Sequence, residues 1–109
     1  MDKINEYLQR TLNIVPGGLF SDICQAIRPR IECADGFAIS VQASEFHYCS
    51  PRISGNVIYE KVELGFPNQV EPLIMIYAED PDIPTETVYG WVPVEIVNSI
   101  IEKHGGIVN

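Results

Sequence analysis

Basic side chains are scarce: seven lysines and arginines stand against fifteen aspartates and glutamates, a formal charge of −8 over 109 residues. A field of that sign repels phosphate backbones and anionic membrane surfaces, so direct nucleic-acid or membrane binding is a poor first reading. Cysteine is also sparse. Cys24, Cys33 and Cys49 are odd in number and irregularly spaced, so a secreted disulfide framework would leave one thiol over and a reducing cytoplasm fits better. No apolar run approaches the roughly 20 residues of a membrane span, and the start Met1-Asp2-Lys3-Ile4-Asn5-Glu6 lacks the basic and apolar regions of a signal peptide. Internal repeats and low-complexity segments are absent, and Pro16-Gly17-Gly18 lacks the lysine and hydroxyl of a phosphate-binding loop and is read as a turn. The length leaves room for one domain, whose 46% apolar content is enough for a core without metal or disulfide staples.

Periodicity supplies the elements. Ile4, Tyr7, Leu8 and Leu12 place one apolar stripe on a helix over residues 2–13, and Phe20, Ile23, Cys24 and Ile27 place one on a second helix that Pro29 stops. From Arg30 the period becomes two, through Ile31 and Cys33 and then Phe37, Ile39 and Val41. Asp35-Gly36 between these runs predicts a hairpin with a type I′ turn. Residues 57–66 predict another strand, with Ile58, Val62, Leu64 and Phe66 on one face and Tyr59, Lys61 and Glu63 on the other. Residues 73–78 are apolar throughout and fit either a buried strand or a helical turn. A strand over 87–92 follows, and then a helix that starts near Pro93, repeats Val97, Ile100, Ile101 and His104, and closes at Gly105-Gly106 with Ile107 folding back. The expected fold is α+β: a mainly antiparallel sheet of three to five strands with two N-terminal helices and a C-terminal helix packed on it. Residues 1–29 form a helical extension and residues 30–109 the core of one domain.

Candidate chemistry lies in two loops. Cys49 with His47 is a candidate nucleophile and base, since a nearby histidine can lower a thiol pKa. Two residues apart on an extended segment, however, they converge poorly, and the structural reading is preferred. Cys24, Cys33, His47 and Cys49 contain the ligand types of a zinc site but not its spacing, and Cys24 and Cys33 lie in phase with apolar faces. Glu79, Asp80, Asp82 and Glu86 lack the glycine turn of a calcium loop and read as a solvated surface or an imitation of a phosphate backbone. His104 reads as a helix-end histidine that favours the C-terminal dipole. Neither a metal nor a cofactor is expected. The residues 44–56 carry Phe46, His47, Tyr48 and Arg52, types suited to protein–protein contacts, against the alternative that the aromatics plug the sheet edge. Tyr89 and Trp91 extend that surface if they face outward.

The runs Ile31-Glu32-Cys33-Ala34-Asp35-Gly36-Phe37, Ser40-Val41-Gln42-Ala43-Ser44 and His47-Tyr48-Cys49-Ser50-Pro51-Arg52 resemble a family of small proteins of phages, prophages and other mobile elements. Val62-Glu63-Leu64-Gly65-Phe66-Pro67, Tyr77-Ala78-Glu79-Asp80, Val88-Tyr89-Gly90-Trp91-Val92-Pro93 and Ile101-Glu102-Lys103-His104-Gly105-Gly106 carry the resemblance across residues 30–107. It implies no reaction, cofactor or catalytic residue. It does imply stoichiometric binding to host or phage machinery in the host cytoplasm, including inhibition of defence systems such as CRISPR. The partner-binding candidates are accordingly Phe46, His47, Tyr48, Arg52, Glu79, Asp80, Asp82 and Glu86, with a partner that bears a basic, nucleic-acid-handling surface. The charge is divided unevenly in a way that suits this: residues 1–59 hold six acids and five bases, residues 60–109 nine acids and two bases.

Overall fold

Asp2 opens the first helix by accepting the backbone N–H of Asn5 at 2.9 Å, satisfying a donor that has no partner within the helix. This helix, α1 (Lys3–Arg10), buries Ile4, Tyr7 and Leu8 on its apolar stripe. The computed structural model describes residues 1–12 and 28–109; the expected second helix, with Cys24, and the turn at Pro16-Gly17-Gly18 lie outside the described residues. Four strands follow: β1 (Ile31–Glu32), β2 (Ala38–Gln42), β3 (Lys61–Gly65) and β4 (Val88–Pro93). They form one antiparallel meander in chain order, and α2 (Val94–Lys103) closes the fold.

Alternation decides which residues enter the core. Ile39 and Val41 of β2, Val62 and Leu64 of β3, and Tyr89 and Val92 of β4 are buried, with Val41 opposite Leu64 and Leu64 opposite Tyr89. They form one cluster with Ile4 and Leu8 of α1 and Val97, Ile100 and Ile101 of α2. The architecture is thus a small α+β fold with an antiparallel sheet and helices at both ends of the chain. Residues 1–12 are no mere extension of it. Asn5, fully buried, donates to the Tyr59 carbonyl at 2.9 Å and accepts the Tyr59 N–H at 2.7 Å, so α1 is tied to the approach to β3 by a pair of hydrogen bonds.

Two expectations need correction, and an open one is settled. The hairpin between β1 and β2 forms, but its turn is not type I′. Gly36 alone is left-handed, at φ +94°, and the Gly36 N–H donates to the Cys33 carbonyl while the Cys33 N–H donates to Phe37. Asp35 instead keeps negative φ and uses a carboxylate oxygen to accept the Phe37 N–H at 2.9 Å. The strand expected over 57–66 spans only Lys61–Gly65. Tyr59 is buried and Ile58 exposed, the reverse of the expected faces, because the Tyr59 backbone pairs with the Asn5 side chain rather than with a strand. Phe66 leaves the strand at φ +51° and is exposed. The apolar stretch after β3 resolves as a 3₁₀ helix over Pro72–Tyr77, capped by Glu71, whose carboxylate accepts the Leu73 N–H.

The end of α2 follows expectation in its backbone. Gly105 and Gly106 are left-handed, Gly106 N–H reaches the Ile101 carbonyl and Gly105 N–H the Glu102 carbonyl, the two bonds of a Schellman closure. Ile107 then packs on the core and bridges Cys33.

Candidate protein-binding site

Between the pairs Val62–Val92 and Leu64–Tyr89, β3 places one residue, Glu63, while β4 places two, Gly90 and Trp91. This bulge turns Trp91 out of the strand, at φ +51°, a conformation that a bulky side chain rarely adopts. The freed Trp91 N–H donates to the Tyr48 carbonyl at 3.0 Å. Tyr48 is held from its other side as well, since its own N–H donates to the Glu63 carboxylate at 3.2 Å. Gly90 makes room for it: a Cβ there would stand 3.3 Å from the Tyr48 Cβ. The result is a stacked pair, Tyr48 on Trp91, with ring centroids 4.8 Å apart and planes 26° apart. Both stay open to solvent, Tyr48 at 39% and Trp91 at 48%. Arg52 completes the stack with its guanidinium 5.6 Å from the Tyr48 centroid, and its Nε donates to the Glu45 carbonyl.

Beside the stack lies an open cleft of about 350 Å³ lined by Tyr48, Tyr77, Glu79, Val88, Gly90 and Trp91. Glu79 reaches it because its backbone N–H donates to the Val88 carbonyl and the neighbouring Ala78 bridges Tyr89, which lays this segment along β4. Tyr48, Arg52 and Glu79 therefore belong to one surface region with Trp91. Phe46, Asp80, Asp82 and Glu86 are exposed but do not line the cleft. The Asp80 carboxylate accepts the Asp82 N–H and its backbone N–H donates to Thr87, giving the acidic loop local turns.

The thiol and its histidine are arranged against nucleophilic use. Cys49 is buried, and its Sγ lies 3.1 Å from the Ser44 carbonyl oxygen, an acceptor that suits a thiol and opposes a thiolate. Burial pushes its pKa up. His47 points its Nδ1 at the Ser44 hydroxyl, 2.6 Å away, and burial pulls its pKa below the ordinary value against the influence of Glu63. Ser44 is itself buried and also accepts the Phe46 N–H, so the pair braces the loop and presents no hydroxyl to a substrate. His47, partly exposed, is thus held by Ser44 within the loop that carries Tyr48. Among the described residues no group of three His, Cys, Asp or Glu side chains could hold a metal.

A second polar cluster was invisible in the sequence. His104, 6% exposed, caps α2 and stacks on Phe37 at 4.1 Å, with Nδ1 2.6 Å from the Asp35 carboxylate and Nε2 3.0 Å from that of Glu71. Each ring nitrogen thus faces a carboxylate oxygen. Lys103 adds a donor 2.9 Å from the same Glu71 oxygen. Burial would raise the Glu71 carboxyl, but the Leu73 N–H, Lys103 and His104 outweigh it and hold it below the ordinary range. With every ring nitrogen and buried oxygen partnered, this cluster fastens the hairpin loop, the 3₁₀ helix and α2 together. The helix-end reading of His104 was right in position and missed this role. Comparison of the chain with protein-family models, curated proteins and solved structures finds no match.

Proposed function

We propose that the protein acts by stoichiometric protein binding, and that the Tyr48–Trp91 ledge is the centre of its docking surface. The observation that carries this reading is the exposed stack itself: a strained bulge, a glycine and two backbone hydrogen bonds keep two large aromatics together in solvent, where burying them in the core would be the ordinary outcome. Tryptophan, tyrosine and arginine are the residue types that dominate binding hot spots. The exposed acids Glu79, Asp80, Asp82 and Glu86 adjoin β4 and favour a basic partner. Together with the phage and mobile-element resemblance, this supports inhibition of a nucleic-acid-handling complex, in the manner of an anti-CRISPR protein, by occupying a groove meant for a phosphate backbone. The buried, pKa-raised Cys49 supports the binding reading over a thiol enzyme.

Affinity capture from host cells with the tagged protein tests the reading, run side by side with Trp91→Ala. The expected result is one partner recovered in stoichiometric amount by the native chain and lost with Trp91→Ala, whose melting temperature stays close to native. Equal recovery by both would reject the ledge.

A further inference from the structure

The cleft beside the ledge has a definite chemistry. Of its six lining residues three are aromatic, two are small or apolar, and the single charged one is Glu79. Among the described residues the Glu79 carboxylate takes part in no ion pair, whereas Glu71 of the 3₁₀ cap has two. An anionic ligand would be repelled here. A neutral apolar one would strip water from the carboxylate without compensation. A cation satisfies both the carboxylate and the aromatic faces, because ring quadrupoles attract positive charge. Its shape can be narrowed further. A planar guanidinium stacks flat on an indole while its forked N–H groups reach a carboxylate, which a compact ammonium cannot do at once. The stack already carries one such group, Arg52 over Tyr48. The volume, about 350 Å³, is near the small end for ligand sites and suits one long side chain.

We propose that this cleft is a receptor for an arginine side chain of a basic protein partner, with the guanidinium stacked on Trp91 and paired with the Glu79 carboxylate. The proposal rests on the protein-binding reading and names what the ledge recognises. The exposed Asp80, Asp82 and Glu86 offer further partners to basic residues flanking that arginine, which favours a polypeptide over a free small cation.

Trp91 is the only tryptophan, so its fluorescence reports on the cleft directly. The probe is a capped glycine–arginine repeat peptide, titrated alongside the same peptide with citrulline, which keeps the planar shape and removes the charge. The expected result is a saturable change in Trp91 emission with the arginine peptide, about tenfold weaker binding of the citrulline peptide, and a similar loss in Glu79→Gln at unchanged melting temperature. Equal binding of the two peptides, or an unaffected Glu79→Gln, overturns the proposal. The captured partner separates the two levels. If Trp91→Ala releases it and Glu79→Gln does not, the arginine receptor is wrong and protein binding at the ledge stands; if Trp91→Ala releases nothing, both are wrong.

Discussion

The buried His104 and Glu71 meet in a polar cluster with Asp35 and Lys103. A carboxyl whose pKa is lowered by folding stabilises the native state above its ordinary value, and that contribution is lost as pH falls through the lowered value. Glu71 is held down by the Leu73 N–H, Lys103 and His104 against its burial, and Asp35 by the Phe37 N–H and His104. Stability should therefore fall on acidification below about pH 4, and Glu71→Gln should lower the melting temperature at pH 7 while flattening that acid-side decline. Thermal melts across this range check it, and a Glu71→Gln profile parallel to native would contradict it. The glycines after α2 separate two costs at the same scale. Gly105 and Gly106 are both left-handed, but a Cβ at Gly105 would stand 2.9 Å from the Ala34 Cβ, whereas at Gly106 it meets open space. Gly106→Ala should cost about 1 kcal/mol from backbone strain alone, and Gly105→Ala distinctly more, as measured by urea denaturation.

At the scale of elements, α1 is secured to the approach to β3 through Asn5. Asn5→Ala would leave a buried N–H and a buried carbonyl of Tyr59 without partners and should destabilise the fold by about 2–3 kcal/mol, measurable by chemical denaturation. A loss under 0.5 kcal/mol, the range of ordinary surface substitutions, would mean that α1 is an appendage after all. Features written in neighbouring residues were legible in the sequence. The stripe of α1, the hairpin position, β4 and the Gly105-Gly106 closure all depend on short-range periodicity or a required left-handed residue. Features that depend on pairing across the chain were not. The bulge at Gly90 and Trp91 exists only relative to the single residue that β3 sets opposite it. Asp35 and Glu71 meet His104 from 69 and 33 residues away, and no local pattern marks either one as its partner. The same limit divided the candidate site. Tyr48, Arg52 and Glu79 were named from residue type and loop position, but their meeting at Trp91 required the register of the sheet. His47 and Cys49 read from residue type as either a reactive pair or loop structure, and burial of the Cys49 thiol against the Ser44 carbonyl favours the structural reading.

Over the whole molecule, the formal charge of −8 is an association property more than a stabilising one. The acidic loop 79–86 is exposed and one of its members lines the cleft, so the negative second half of the chain contributes directly to the proposed docking region. Association with a basic partner should slow steeply as salt rises, and reversal of Glu79, Asp80 and Asp82 to lysine should reduce the association rate and its salt dependence together. Stopped-flow kinetics at two ionic strengths would detect this, and rates independent of salt would remove electrostatic steering from the account. In the proposed docking mode the aromatic ledge sets the other half of binding, the lifetime of the complex. The central claim therefore comes down to the equilibrium affinity of the native chain and of Trp91→Ala for the captured partner, measured by titration calorimetry. The account predicts one-to-one binding for the native chain and at least about thirty-fold weaker binding for Trp91→Ala, the loss expected of a hot-spot residue. Equal affinity of the two chains would contradict it.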